Sequence, residues 1–380
     1  MGERVRLGDL LTKARSKRCG GSSYPVLSMT MHDGIVRQDD RFKKSIASRD
    51  TKSYKVVMPG QLVVGFPIDE GVIYIQKLQQ PGIMSPAYQV WDVDESRVRP
   101  RYLELALHSP RSMAYYAAKM RGTTARRRSI TADNLCALEI PVPSLERQDC
   151  IVAAFKRVGS LLASCGQASE RLDSLVKSQF VEMFGDPTVE HDGWSYETIG
   201  NVCQVITGNT PSRKDETNYG DYIEWCKTDN ITDARYLTRA AELLSEAGAQ
   251  RGRVAPAGSV LMACIAGSIK TIGKVAINDR PVAFNQQINA LIPMDELSVD
   301  YLLWALRLSK DYLCSDVNMQ LKGILNKSAL SAKRFTIPPL ALQQQFAAFV
   351  AEVDKSRFVV QRQIEKLQTL YDSLAQEYFG

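Results

Sequence analysis

Ile140-Pro-Val-Pro-Ser-Leu-Glu-Arg-Gln148, running on to Phe184-Gly185, is spelled a second time as Phe335-Thr-Ile-Pro-Pro-Leu-Ala-Leu-Gln343, running on to Phe379-Gly380. The copies lie 195 residues apart and align without gaps. Pro143 falls on Pro338, Leu145 on Leu340, Gln148 on Gln343, Val158 on Val353, Leu172 on Leu367, Leu175 on Leu370 and Ser178 on Ser373. The chain therefore reads body, helix, body, helix, an order suited to presenting two similar heads to two sites at a fixed separation.

Beyond the prolines each copy reads as helix. Ser144 is placed to cap the first copy, because the prolines before it hold the chain extended. From Leu145 to Phe184 there is no proline, and the only glycines are Gly159 and Gly166. Unbroken, such a helix is roughly 60 Å long. Gly185 and Asp186-Pro187 then stop it. Positions 151, 155, 158, 162, 165, 169, 172, 176, 179 and 183 alternate by four and three, and eight of the ten suit an apolar seam. Shifted by 195, nine of ten suit one in the second copy. A seven-residue repeat sustained in both copies predicts a coiled coil rather than two ordinary surface helices. Ser169, Gln179 and Arg357 interrupt the seams at unmatched positions, as residues that fix register between unlike partners do. The plainer alternative is that each helix packs only on its own body. Pairing within the chain is favoured by the high effective concentration of two equal seams.

The bodies mirror each other more loosely. Leu7-Gly-Asp-Leu10 and Ile199-Gly-Asn-Val202 open them, and Met58–Val64 and Ala257–Met262 each read as a turn running into a strand. Ile130-Thr-Ala-Asp-Asn-Leu135 and Leu325-Asn-Lys-Ser-Ala-Leu330 precede the two exits. Arg101–Arg121 and Ser298–Cys314 are the helix candidates. Short β-branched runs between Gly, Pro and Asp turns, without a βαβ rhythm, predict an α+β fold with a curved mixed sheet. The expected organisation is a first body over 1–143, a long helix over 144–186, a second body over 187–336 and a last helix over 337–380.

Composition bounds the partners. A 44% apolar and 24% charged chain is ordinary for a globular protein. The longest apolar run, Val260–Ala266, is far short of a membrane span. Met1-Gly-Glu-Arg4 leads into a polar segment, unlike a secretory leader, so the cytoplasm is the expected compartment. Eight cysteines form no CxxC and three histidines have no ligand spacing, so no metal is expected and the thiols read as small apolar residues. The +6 net charge is uneven: residues 1–143 hold 23 basic against 14 acidic side chains, and residues 187–336 hold 16 against 17. A polyanion partner is expected for the first body.

No catalytic site is legible. Gly267-Ser-Ile-Lys-Thr-Ile-Gly273-Lys274-Val275 has five residues between its glycines where a phosphate loop has four, and Val275 where Ser or Thr should hold magnesium. It reads instead as a strand-flanking loop, with lysines that are solvated or touch phosphate. Neither an Asn-Pro-Pro-aromatic motif for methylating a base nor a Gly-rich nucleotide fingerprint is present.

Three basic clusters mark the first body: Lys13, Arg15, Lys17 and Arg18; Arg41, Lys43 and Lys44; and Lys119, Arg121, Arg126, Arg127 and Arg128. One charge run alone reads equally as a solvated face. Three in one basic body, interleaved with Ser16, Thr123 and Thr124, favour phosphate contact. In the second body, Thr207–Lys214 and Ile223–Ile231 supply Asn209, Thr210, Ser212, Arg213, Lys214, Lys227, Thr228 and Asn230, the donor and acceptor types that base edges and phosphates require. Turn formation explains the first of these runs equally well. Lys270, Lys274 and Lys322 are further cations there, and Gln286 and Gln287 offer amides able to pair with adenine.

With these motifs assembled, the chain resembles the specificity subunits of type I restriction-modification systems over essentially its whole length. Both exits are similar to the family's Ile-Pro-Leu-Pro-Pro-Leu-Glu-x-Gln signature. Gly208-Asn-Thr-Pro-Ser212 with Trp225-Cys-Lys-Thr-Asp-Asn-Ile231 resembles the start of family target-recognition domains. The first body departs from that pattern, with Tyr24-Pro-Val-Leu-Ser-Met-Thr30 at the comparable place. Ala341, followed by Leu342, stands where the signature has its acidic residue, and Arg357 interrupts the second seam. The resemblance implies two similar mixed α/β target-recognition domains separated by two long helices that form an antiparallel coiled coil. Each domain would read half of a split site in double-stranded DNA. Two methylation subunits would dock on the helices, and restriction subunits would join the full complex. It also implies no catalysis and no cofactor on this chain, with S-adenosylmethionine, ATP and Mg on the partner subunits. A scaffold that binds only protein partners is the competing expectation, and it predicts no salt-dependent affinity for polyanions.

Overall fold

The computed structural model of the chain describes all residues except 1, 16, 21–23, 32, 42–50, 123, 125–127, 316 and 318–322, with only the backbone of Arg41. It is a mixed α+β structure divided into two units, Met1–Gly166 with Arg362–Gly380, and Gln167–Gln361.

Each unit is built around one body and a share of two long helices, Leu145–Phe184 and Leu340–Phe379. The N-terminal half of the first helix pairs with the C-terminal end of the second in one unit. In the other unit the remaining halves pair, so the helices run antiparallel. Phe155 meets Tyr371 at 4.9 Å between ring centroids, and Phe180 meets Phe346 at 5.4 Å. All twenty seam positions expected from the heptads are buried or half-buried, whereas Leu161, Leu175 and Val181, off the seam, are exposed. The 3.5-residue period thus selects buried or half-buried positions throughout. Near the bodies the buried stripe is wider, since Phe180, Phe184, Ala375 and Phe379, off the seam, are buried too and Phe180 and Phe184 both meet Phe346. Arg357, the misfit in the second seam, pairs with Asp173 and Asp354, while its buried Nε has no hydrogen-bond partner. At the start of the first helix the Arg147 amide donates to Ser144 Oγ, and at its end Gly185 takes φ +68°, which favours glycine.

The opening and exit of each body are zipped together. Glu3–Arg6 pairs antiparallel with Glu139–Val142, and Ser195–Thr198 pairs in the same way with Arg334–Ile337. Each body then carries a four-stranded antiparallel sheet of one order. In the first it runs Leu11–Lys13, Gln89–Val93, Leu62–Val64, Ile73–Ile75. In the second it runs Cys203–Thr207, Ile288–Pro293, Val260–Ala263, Val275–Ile277. The two third strands leave turns whose glycines, Gly60 and Gly258, sit at φ +83° and +84°. The bodies therefore share a fold despite little shared sequence between the motifs. The second adds a mixed sheet in which Tyr219–Cys226 runs parallel to Val282–Phe284.

Two expected helices are shorter than their apolar pattern suggests. Arg101–Arg121 is broken into Pro100–Leu107 and Pro110–Lys119, because Pro110 cannot continue a helix and Ser109 caps a new one. Ser298–Cys314 is likewise divided at Ser309, into Val299–Leu308 and Lys310–Leu313.

The bodies seat the helices through matched anchors. Tyr102, fully buried, packs on Phe379 at 5.4 Å and donates its hydroxyl to the Pro141 carbonyl. Tyr301 packs on Phe184 at 5.0 Å and donates to the Thr336 carbonyl. Burying each such ring contributes about 1.5–3 kcal/mol. Gln148 and Gln343 have no exposed surface, and each amide makes three hydrogen bonds that tie the start of its helix to its body.

Candidate nucleic-acid interface

In the second unit three loops converge beyond the edge strand Cys203–Thr207. Gly208 starts the first, and its amide donates to the Ile288 carbonyl. A Cβ at this position would stand 2.2 Å from the Asn285 carbonyl oxygen and 2.4 Å from that of Phe284, so the backbones meet only because the residue is glycine. The next amide, of Asn209, donates to the Phe284 carbonyl, and Thr210 Oγ1 donates to Gln286 Oε1 at 2.5 Å. The Gly208–Lys214 run and the Gln286–Gln287 turn are thereby one surface.

Trp225 supports that surface from beneath. It is buried, and its indole N–H donates to the Asn209 carbonyl at 3.3 Å. The Arg213 guanidinium and the Lys227 ammonium lie 5.5 and 5.2 Å from the centre of its ring. Both cations also pair with Glu242, whose carboxyl is held below its usual range by Lys227 and then Arg213. Arg213 keeps more than half of its side chain in solvent, while Lys214 and Ser212 are exposed. Asn230 is turned inward: its Oδ1 accepts from the Lys227 amide and its Nδ2 donates to the Arg239 carbonyl. Thr228, half-buried, begins the same turn. Gln287 is occupied by Asn285, and its carbonyl accepts from Cys264 and Ile265.

On the same strand as Trp225, Glu224 accepts from Arg280 at 2.7 and 2.6 Å, from Arg239 at 2.6 Å and from the Ala240 amide. These partners, Arg280 first, hold its carboxyl at about 2, against an ordinary value of 4.5. A depressed acid contributes stability that is complete above pH 4.5 and lost as pH falls toward 2. The second unit should therefore weaken over that window, read as a falling denaturant midpoint between pH 5 and pH 3. Glu224→Gln should be less stable at pH 6 and flatter with pH. An unchanged pH slope in that variant would remove Glu224 from the account.

Lys270 and Lys274 lie elsewhere in the unit, on the Gly267–Val275 loop. Lys270 is exposed, and Lys274 pairs with Asp233 at 2.9 Å. Lys322 lies outside the described residues.

In the first unit, Lys13, Arg15, Lys17 and Arg18 are exposed along the segment that leaves the strand Leu11–Lys13. The Lys17 carbonyl accepts from the Val56 amide, and Arg18 bridges to Lys55. Lys55 itself donates to the Tyr88 carbonyl and is pushed down by burial and then by Lys13. Four exposed cations thus belong to one short stretch of chain, beginning at the end of that strand. Lys119 and Arg121 are exposed at a separate turn, where Arg121 and Ser129 exchange backbone hydrogen bonds. Arg128 differs from its neighbours in sequence. Its guanidinium pairs with Asp69 and Glu70, and its carbonyl accepts from the Ile68 amide, so it fastens a loop of the body. Lys43, Lys44, Arg126 and Arg127, and the side chain of Arg41, lie outside the described residues.

Sequence reasoning passed over the groups that organise these cations. Glu242 and Glu224 are 15 and 56 residues from partners they hold, Lys227 and Arg280, and no spacing rule links them. Arg251 was missed as well. Its carbonyl accepts from Asn209, and its guanidinium reaches Asp215 and Asn218.

Residues 191–369 match the family model described as the type I restriction modification DNA specificity domain. Over 117 residues the chain is 34% identical to the type I restriction enzyme HindI specificity subunit of Haemophilus influenzae, covering 30% of this chain and 25% of that one. Over 196 residues it is 25% identical to the MjaIX specificity subunit of Methanocaldococcus jannaschii, covering 49% and 44%. The chain thus spans less than half the length of these curated relatives. Among solved structures, one from a study of assembly and conformational transition in a type I R-M system superposes with TM-score 0.61 over 99% of this chain and 97% of that one, at 20% identity. The S subunit of a type I restriction-modification system from M. genitalium gives 0.54 over 100% and 96%, at 13% identity, a likeness of fold.

Proposed function

We propose that this chain, which belongs with the specificity subunits of type I restriction-modification systems, reads a bipartite double-stranded DNA target, one half with each body. The observation that carries the reading is the doubled construction. Two bodies with one sheet order each feed a 40-residue helix through a fully buried glutamine clamp. Two similar but unlike readers on a common helical pair suit a split, asymmetric site. In this reading residues 1–143 and 187–336 are the target-recognition domains, and 144–186 with 337–380 separate them.

The chemistry of recognition follows from the side chains. Exposed Lys13, Arg15, Lys17, Arg18, Lys119 and Arg121 neutralise phosphates, and so position the first body without reading sequence. In the second body Lys214 and the outer face of Arg213 play that part, while Thr210, Ser212 and Gln286 present hydroxyls and an amide to base edges. The helices dock two methylation subunits, and restriction subunits complete the assembly in the cytoplasm. S-adenosylmethionine, ATP and Mg are bound by those partners, and this chain performs no step of methylation or cleavage.

Duplex affinity measured against salt tests the reading. Expected is a log–log slope of several units, flattened by about one for each phosphate-contacting cation removed. Co-expression with the methylation subunits, followed by mapping of methylated bases, should return a motif in two parts with a gap of fixed length. A single uninterrupted motif would refute the bipartite reading. The absence of any polyanion-dependent slope would favour a protein-only scaffold.

A further inference from the structure

The Gly267–Val275 loop, which fails as a nucleotide phosphate loop, walls a cavity of about 490 Å³ in the second unit. Its lining carries four cations, Lys270, Lys274, Arg307 and Lys310, against one carboxylate, Asp233. Asp233 pairs with Lys274 but keeps 91% of its side chain in solvent, so water screens its charge. Arg307, on the helix Val299–Leu308, donates to the carbonyl oxygens of Ala234 at 2.6 Å and Val275 at 3.3 Å and lies over the Trp304 ring. These partners are neutral, and among the described residues no carboxylate is within ion-pair distance of Arg307. Burial accordingly pushes its guanidinium below its ordinary value, against the pull of Asp173 and Asp233. Lys310 donates to the Lys270 carbonyl at 3.0 Å, which fixes the loop against the helical segment. Gly273, at φ +74°, makes the turn that lets the loop close on Cys314.

A partly buried guanidinium held only by carbonyls, with three ammonium groups around the same cavity, is a costly concentration of one sign. A tetrahedral oxyanion would offset that cost, since it brings opposite charge and several acceptors for a fork of N–H donors. We propose that this cavity is an oxyanion site that takes a phosphate group, either one phosphodiester of a bound duplex or a free phosphate ion. Arg307 forms the fixed donor and Lys270, Lys274 and Lys310 the adjustable ones, with Asp233 as a competing carboxylate at the mouth. The duplex source rests on the proposed DNA-recognition function; the site itself does not.

Thermal unfolding of the full chain in sodium phosphate and in sodium chloride, at matched ionic strength, tests the site. Phosphate should raise Tm above the chloride value by about 3 °C near tenfold saturation. Lys270→Gln with Lys310→Gln, both at the solvent edge, should abolish that difference. Asp233→Asn should enlarge it, a gain that a purely structural role for these residues would not produce. Equal Tm values in the two salts for the parent chain would overturn the proposal. Duplex titrations then separate the sources. If the double variant also loses about one unit of salt slope, the ligand is a backbone phosphate. If the slope is unchanged while the phosphate response is gone, the ligand is the free ion. A parent chain that responds to phosphate yet binds no duplex would sink the DNA-recognition reading and leave the site standing. One that binds duplex but ignores phosphate would do the reverse.

Discussion

Gln343→Leu should cost the second unit about 3 kcal/mol or more, the largest loss expected from any single side chain at a helix start. The amide is fully buried, and it serves three separate backbone groups. Its Oε1 accepts from the Ser298 amide at 2.7 Å, while its Nε2 donates to the carbonyls of Glu296 at 3.1 Å and Pro338 at 2.7 Å. Leucine fills nearly the same volume, so no cavity contributes. What remains is a buried N–H and two carbonyls without partners, each costing about 1–3 kcal/mol. The neighbouring Gln344 is exposed, and Gln344→Leu is the control that should move stability by less than about 0.5 kcal/mol. Gln148→Leu should reproduce the loss in the first unit, where the same amide meets the Arg99 amide and the Arg97 and Pro143 carbonyls. Chemical denaturation reads all three variants. A cost below about 1 kcal/mol for Gln343→Leu would mean that water reaches the orphaned groups, and the clamp would lose its energetic role.

This clamp also shows where sequence reading stops. That Gln148 and Gln343 occupy equivalent places was legible, because the repeat aligns them without a gap. Their task was not, because the Ser298 amide is 45 residues from Gln343 and offers no side-chain signal. The helices were legible in length, caps and seam, since heptads and glycine stops are local properties of the chain. The breaks at Ser109-Pro110 and Ser309 were read through, because the apolar pattern continues across them. The basic clusters were legible as charge but not as free charge. Arg128 stands beside Arg126 and Arg127 in sequence, yet it is committed to Asp69 and Glu70. Arg307 and Lys310 attracted no notice in a segment read only as a helix, and it is the fold that turns them toward the Gly267–Val275 loop. Local pattern specifies elements; the carboxylates that claim or spare each cation are chosen by tertiary structure.

Gly208→Ala should separate the fold of the second body from its proposed recognition surface. The added methyl group would lie 2.2 Å from the Asn285 carbonyl oxygen and 2.4 Å from that of Phe284. Both obstacles are backbone, so no rotamer change relieves the clash, and the loop must withdraw. Withdrawal breaks the hydrogen bonds from Gly208 to Ile288 and from Asn209 to Phe284, and with them the link between Thr210 and Gln286. A loss of about 2–3 kcal/mol is expected, local to this edge, because the four-stranded sheet and its core lie behind the loop. Gly166→Ala is the counterpart. That helical glycine has nothing within 4 Å of its would-be Cβ, so alanine should be neutral or stabilising by up to about 1 kcal/mol. If the loop presents Thr210, Ser212 and Gln286 to one half-site, Gly208→Ala should lower specific duplex affinity at least tenfold, at a temperature where the variant remains folded. Affinity for unrelated duplex should change little if, as proposed, Lys214 and the first body's cations meet phosphates independently of this loop. Equal losses on specific and unrelated DNA would place the loop among positioning contacts. A folded variant with undiminished specific binding would move half-site reading to another surface of this body, while leaving the steric account of Gly208 intact.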